Sequence, residues 1–170
     1  MTNNTRSKLE KAAYIAIICM TIFTISMVSF RYFSKSSVPT ANKVKNGDYL
    51  NKSALELPNS EKVIILFISE TCKFCRESGS FYQKLIKSSE SKKSISLIAV
   101  FPSREKNGEN YFEKDGVAFP VKSYVDFTEL GVFFTPTILI VDKDSKVLDS
   151  WSGKLESDTE TKVLSIFNEN

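Results

Sequence analysis

The sequence predicts an α/β domain, a central mixed sheet with helices on both faces, preceded by one N-terminal transmembrane helix. Three observations carry this. Val63–Ile68 is a short apolar run rich in β-branched residues that stops abruptly before Cys72-Lys73-Phe74-Cys75, as a buried strand feeding a helix does. Ser94–Phe101 repeats the apolar run after an amphipathic stretch, and strand, helix, strand implies parallel pairing with a right-handed crossover. Ala12–Phe30 is uncharged and apolar over the length needed to span a bilayer as a helix.

Taken in order, residues 1–11 form a short basic tail with Arg6, Lys8 and Lys11, and Arg31 and Lys35 follow the apolar run. Basic residues on both flanks leave the orientation open by charge count; a short tail before a single span places the tail in the cytoplasm and exports the rest. A cleaved signal peptide is the alternative. The run is longer than an ordinary signal core and lacks a clear small-x-small site, Thr40-Ala41 being the nearest approach. Ile18 before Cys19 argues against a lipoprotein cysteine, so Cys19 reads as a small apolar residue of the span. Ser34–Lys52 is poor in large apolar residues and reads as a tether. The expected division is a cytoplasmic tail over 1–11, an anchor over 12–30, a linker and lead-in over 31–58, and a folded domain over 59–170.

Within the domain, Phe81, Tyr82, Leu85 and Ile86 recur at helical spacing, predicting one amphipathic helix from about Lys73 to Ser88, with Thr71 able to cap it. Pro102 closes the second strand. Glu105–Asp115 is polar and predicts a surface helix ending near Gly116, followed by a short extended piece from Phe119 to Asp126 and at most one turn over Thr128–Gly131. Phe133–Val141 places Pro136 at the start of an apolar strand, and on local sequence its peptide bond is trans. The turn Asp142–Ser145 returns Lys146–Trp151 as an antiparallel partner, and Ser157 or Asp158 caps a last helix with Val163, Ile166 and Phe167 inward. The order is β-α-β-α-β-β-α.

Composition narrows the function. With a formal charge of +3 and acidic residues interspersed among basic ones, there is no basic stripe for nucleic acid. The chain has no histidine, which removes histidine triads and histidine metal sites, and with three cysteines no second pair completes a structural zinc site. No metal or other cofactor is expected beyond the redox pair itself.

That pair carries the chemistry. Two cysteines at the first turn of a helix lie where unpaired N–H groups and the positive dipole end favour a thiolate. Cys72, nearest the helix start, is the expected nucleophile, with Lys73 adding charge beside it; Cys75, one turn in, is placed to resolve a mixed disulfide. A purely structural bridge across so short a loop would contribute only about 2 kcal/mol in the chain-entropy estimate.

The chain resembles the thioredoxin superfamily and, within it, the membrane-anchored TlpA/ResA-like thiol-disulfide oxidoreductases. The resemblance covers roughly Glu61–Phe167. It rests on Glu70-Thr71-Cys72-Lys73-Phe74-Cys75 after the first strand, Phe119-Pro120-Val121 to Asp126, Leu130-Gly131-Val132 leading into Thr135-Pro136-Thr137, and Asp142-Lys143-Asp144 to Trp151-Ser152-Gly153. It implies a thioredoxin-like fold and a cis Thr135-Pro136 bond opposite Cys72, replacing the trans expectation, with the Thr135 backbone pairing to an extended substrate segment. Two departures stand out. Lys73-Phe74 is neither the Gly-Pro of cytosolic thioredoxins nor the usual pair of the close relatives. Leu66 occupies the place of thioredoxin's buried acid, leaving Glu70, at the strand end, as the nearest carboxylate.

The function expected is an exported, membrane-tethered disulfide reductase acting on disulfide-containing exported proteins and recharged by a membrane electron donor. Lys73, Phe74, Glu70 and Thr71 would tune the redox-active Cys72–Cys75 pair. The same residues run backwards as an oxidase feeding a membrane acceptor, and a non-catalytic redox-sensing module is the reading from another class. A peroxide-reducing site, built from threonine and arginine around one peroxidatic cysteine, does not match this motif.

Overall fold

The computed structural model describes Lys11 and residues 14–27, 44–51, 53–105 and 107–168. The chain divides into two compact units, residues 1–41 and 42–170. In the first, residues 14–27 are helical with exposed side chains. No helix among the described residues is long and apolar enough to cross a membrane. Ala12, Ala13 and residues 28–30, which complete the expected span, lie outside the described residues, as do most of the tail and the tether.

The second unit is built on a five-stranded sheet of order β3-β2-β1-β4-β5. Its strands are β1 (Lys62–Phe67), β2 (Ile95–Pro102), β3 (Lys122–Val125), β4 (Thr137–Asp142) and β5 (Val147–Ser152). β2 lies parallel to both β1 and β3, while β4 runs antiparallel to β1 and to β5. Helices α1 (Lys73–Glu77) and α2 (Gly79–Ser91) join β1 to β2, and α3 (Gly108–Glu113) joins β2 to β3. A 3-10 turn over Phe127–Leu130 leads toward β4, and α4 (Ser157–Ser165) runs into a final 3-10 turn over Ile166–Asn168. The expected extended piece is therefore a true edge strand, β3.

Alternation along β1 divides the core. Ile64, Leu66 and Ile68 face one side with Phe81, Tyr82, Leu85, Phe112, Val163 and Phe167; Val63, Ile65 and Phe67 face the other. Among the described residues the α-helices of this unit thus pack on one face and the 3-10 turn over Phe127–Leu130 on the other, where the expectation placed helices on both. The reason is topological: β1, β2 and β3 step in a single direction across the sheet, so two right-handed crossovers must fall on the same side. The opposite face is covered by Val44, Leu50 and Leu55 of the lead-in and by Leu130 and Val132 near the first 3-10 turn. Residues 44–50 also bond to the sheet edge: Gly47 N–H donates to Val147 O at 2.8 Å, and Tyr49 bridges Lys146.

Three local expectations are corrected as well. The single helix over 73–88 is two helices that meet at Ser78-Gly79, a residue pair at which helices commonly bend. The polar stretch from Glu105 is helical only from Gly108, and Gly116 ends the following turn at φ 76°. The last helix is capped by Glu156 rather than Ser157 or Asp158, without a side-chain hydrogen bond.

Candidate active site

Ile68 extends the ladder by donating to Val100 O at 3.0 Å, and the chain then turns, with Cys72 N–H donating to Ser69 O at 3.1 Å. Thr71 does not cap α1. Cys72 does so itself: it is extended at φ −84°, ψ 112°, and its sulfur accepts the Cys75 N–H at 3.1 Å. That contact fixes the Cys72 sulfur against the backbone at the start of the helix. Thr71 instead pairs its hydroxyl with Ser69 Oγ at 3.0 Å.

The Thr135-Pro136 bond is cis. The Cys72 thiol donates to the Thr135 carbonyl at 3.2 Å, which brings together the two parts of the site that are 63 residues apart in sequence. Gly153 N–H holds Pro136 O at 2.7 Å, and the Thr137 hydroxyl donates to Phe134 O at 2.8 Å, so the loop is tied at both ends. Cys72 is half-buried and Cys75 fully buried, both as free thiols. Burial, followed by the hydrogen bond and charge of Cys72, pushes the Cys75 thiol far above its ordinary value, only partly offset by the Ser69 backbone and Thr135. An accessible sulfur in front of a buried one is the order that nucleophilic attack followed by resolution requires. Around this opening, Phe74 and Phe134 are exposed, 53% and 64%.

The remaining expected residues are dispersed. Lys73 points to solvent and pairs with Glu77 at 3.7 Å; Glu77 also takes a 3.0 Å bond from Lys154, which holds its carboxyl below the usual range, with Lys73 contributing less. Leu66 is fully buried. Glu70 is engaged through its backbone: its N–H donates to Glu105 Oε2 at 3.0 Å. Among the described residues, no group of three or more acidic, cysteine or histidine side chains could hold a metal.

Glu105 is the residue that sequence reasoning missed. It is buried, 7% exposed, and also accepts the Ser69 hydroxyl at 2.5 Å, so one carboxylate grips two consecutive residues of the loop that presents Cys72. The signal was available: Glu105 follows β2 as Ser69 follows β1, and the carboxyl ends of neighbouring parallel strands lie side by side.

The thioredoxin-like domain family matches residues 54–167 of this chain. Solved structures share the fold at low identity. One assigned as a thiol:disulfide interchange protein DsbE from Chlorobium tepidum is 19% identical, with a TM-score of 0.57 over 75% of this chain and 98% of that one. One assigned as a protein disulfide isomerase from Bacteroides thetaiotaomicron is 14% identical, with a TM-score of 0.58 over 74% and 92%. The peroxidoxin BcpB from Mycobacterium tuberculosis is 17% identical, with a TM-score of 0.53 over 74% and 97%. No curated protein sequence matches the chain. A match over the whole of the sheet, from the lead-in to the last helix, makes the chain a member of the thioredoxin-like domain family.

Proposed function

We propose that this protein is an exported thiol-disulfide oxidoreductase of the TlpA/ResA-like kind that reduces disulfides in exported proteins. One observation carries the reading: a half-buried Cys72 sulfur at a helix start, in contact with the Thr135 carbonyl, with the buried Cys75 bonded behind it. Cys72 thiolate attacks a client disulfide and forms a mixed disulfide. Cys75 then attacks the Cys72 sulfur, the client thiol leaves, and the Cys72–Cys75 bridge awaits two electrons from a membrane donor. The DsbE and disulfide isomerase structures that share this fold agree with exchange chemistry.

The tether supports the direction. Residues 12–30 form the anchor in this reading, an uncharged apolar run of spanning length. Anchoring raises the local concentration of a membrane donor without new contacts, and an exported reductase depends on such a donor. Acid-quenched, thiol-tagged membranes test the reading: Cys72 and Cys75 should be mostly reduced in growing cells. A pair found almost wholly oxidised that passes its bridge to a reduced unfolded protein would reverse the direction, and a pair that exchanges with no disulfide would leave only redox sensing.

A further inference from the structure

Tyr82 is fully buried, yet its hydroxyl meets no hydrogen-bond partner among the described residues. An unpaired buried hydroxyl is unfavourable, and its ring already packs against Phe81, Phe112 and Phe119, so phenylalanine would suit a purely structural position. Its placement suggests another use. Tyr82 N–H donates to Ser78 O at 3.1 Å, and Ser78 N–H donates to Cys75 O at 3.3 Å; Cys75, Ser78 and Tyr82 therefore climb one face in successive turns. Helical side chains lean toward the N-terminus, which aims the phenol back along this face toward Cys75.

In the resting pair Cys75 meets Cys72, the Ser69 backbone and Thr135, and the phenol lies nearest the Ser78 side chain, one turn from Cys75. Ser78 Oγ donates to Phe74 O at 2.9 Å. Glu77 pairs with Lys154 and Lys73, Arg76 lies over the Tyr111 ring at 5.3 Å, and Glu105 is bonded to Ser69 and Glu70. Leu66 fills the β1 side. Electrostatics agree: burial raises the phenol well above its ordinary value, charge on Cys75 raises it next, Ser78 offsets part of this, and Cys72 adds to it.

We propose that the Tyr82 hydroxyl is the hydrogen-bond donor that receives the Cys75 thiolate during resolution, a catalytic residue outside the CxxC motif. The proposal rests on the exchange chemistry above. In the step, Cys75 loses its proton and its sulfur bonds to the Cys72 sulfur. The Cys72–client bond breaks, the electron pair leaves on the client sulfur, and that sulfur takes up the proton. The phenol keeps its own proton throughout and stabilises the sulfur anion only while it exists.

The test uses the full chain in detergent, with Cys19→Ala, and 5,5′-dithiobis(2-nitrobenzoate) as the disulfide. Attack by Cys72 releases one thionitrobenzoate and resolution by Cys75 a second, so the two steps appear as two phases without any client. Tyr82→Phe should leave the first phase unchanged, slow the second at least about tenfold near neutral pH, and displace its pH profile upward, since one pH unit is tenfold in thiolate. Fluorotyrosine in place of Tyr82, a stronger donor of nearly the same volume, should speed the second phase. An unchanged second phase in Tyr82→Phe overturns the proposal; if that variant does not fold, an unchanged or slower second phase with fluorotyrosine does so. Because the reagent loads Cys72 directly, a failure to find clients in cells would count against the proposed function and not against Tyr82.

Discussion

Replacing Glu105 by alanine removes the acceptor of two hydrogen bonds at once, from the Ser69 hydroxyl and from Glu70 N–H. The two losses are unequal. Ser69 can fall back on Thr71 Oγ1, already 3.0 Å away, whereas Glu70 N–H is left without an acceptor in a half-buried loop. An unsatisfied donor costs about 1–3 kcal/mol and each charge-assisted bond is worth about 1.5–3, so the net loss should be about 2–4 kcal/mol. For a domain of this size, at roughly 3–4 °C per kcal/mol, the melting temperature should fall by roughly 10 °C. Function should suffer at the same place, because Ser69 O holds Cys72 N–H at 3.1 Å and a displaced loop misaligns the attacking sulfur; exchange should slow by about ten- to a hundredfold. Thermal unfolding and single-turnover exchange, run with Glu105→Ala, Ser69→Ala and the double variant, separate the two bonds. A Glu105→Ala protein that melts within about 1 °C of the parent, well below the effect expected of one lost buried bond, would refute the clamp.

Three other outcomes follow from the same geometry. Because the Cys75 thiol is raised above its ordinary value of 9.0 in the folded protein, the unfolded chain loses that proton first as pH rises. The reduced protein should therefore lose stability above about pH 9, by up to about 1.4 kcal/mol per pH unit and per group; urea midpoints should show a slope that weakens in Cys75→Ala, with buried Tyr82 adding the same sign at higher pH. Gly108→Ala would place a Cβ 2.6 Å from the Phe101 ring and 3.2 Å from Glu105 Oε2, so a loss of about 1–3 kcal/mol in chemical denaturation is expected from overpacking, with exchange slowed through the disturbed clamp. Alkylation of the reduced protein at neutral pH should label Cys72 more than about tenfold faster than Cys75, as the burial and raised thiol of Cys75 require; mass spectrometry of the labelled peptides would show a reversed order if the roles were exchanged.

The succession of strands and helices along the chain was legible because each strand rests on a strong local pattern, an apolar run with an abrupt polar end or a proline that must start a strand, whereas the placement of Thr135-Pro136 opposite Cys72 came through family resemblance. The cis bond was legible only through family resemblance, since Thr-Pro carries no local mark of the isomer. The break at Ser78-Gly79 was hidden because the apolar spacing of Phe81, Tyr82 and Leu85 runs on past it, and periodicity reports the buried face rather than the continuity of the backbone. Placing the helices on one face needed the strand order, which no single segment encodes. In sequence Glu105 reads as the start of a polar surface helix because charge normally means solvent. Its burial depends on Ser69 and Glu70, 36 and 35 residues earlier, meeting it at the sheet edge. The capping role of Cys72 was similarly invisible, since Thr71 is the better cap by residue type and loses to the geometry of the turn.

The most direct test of the exchange mechanism is trapping with Cys75→Ser in the full chain, expressed in its own cells and quenched with acid before alkylation. With the buried sulfur gone, the half-exposed Cys72 should hold its clients as mixed disulfides, seen as high-mass bands that vanish on reduction, and the double variant Cys72→Ser, Cys75→Ser should show none. Bands that persist without Cys72, or their absence while Cys72 is intact and reactive, would contradict the account.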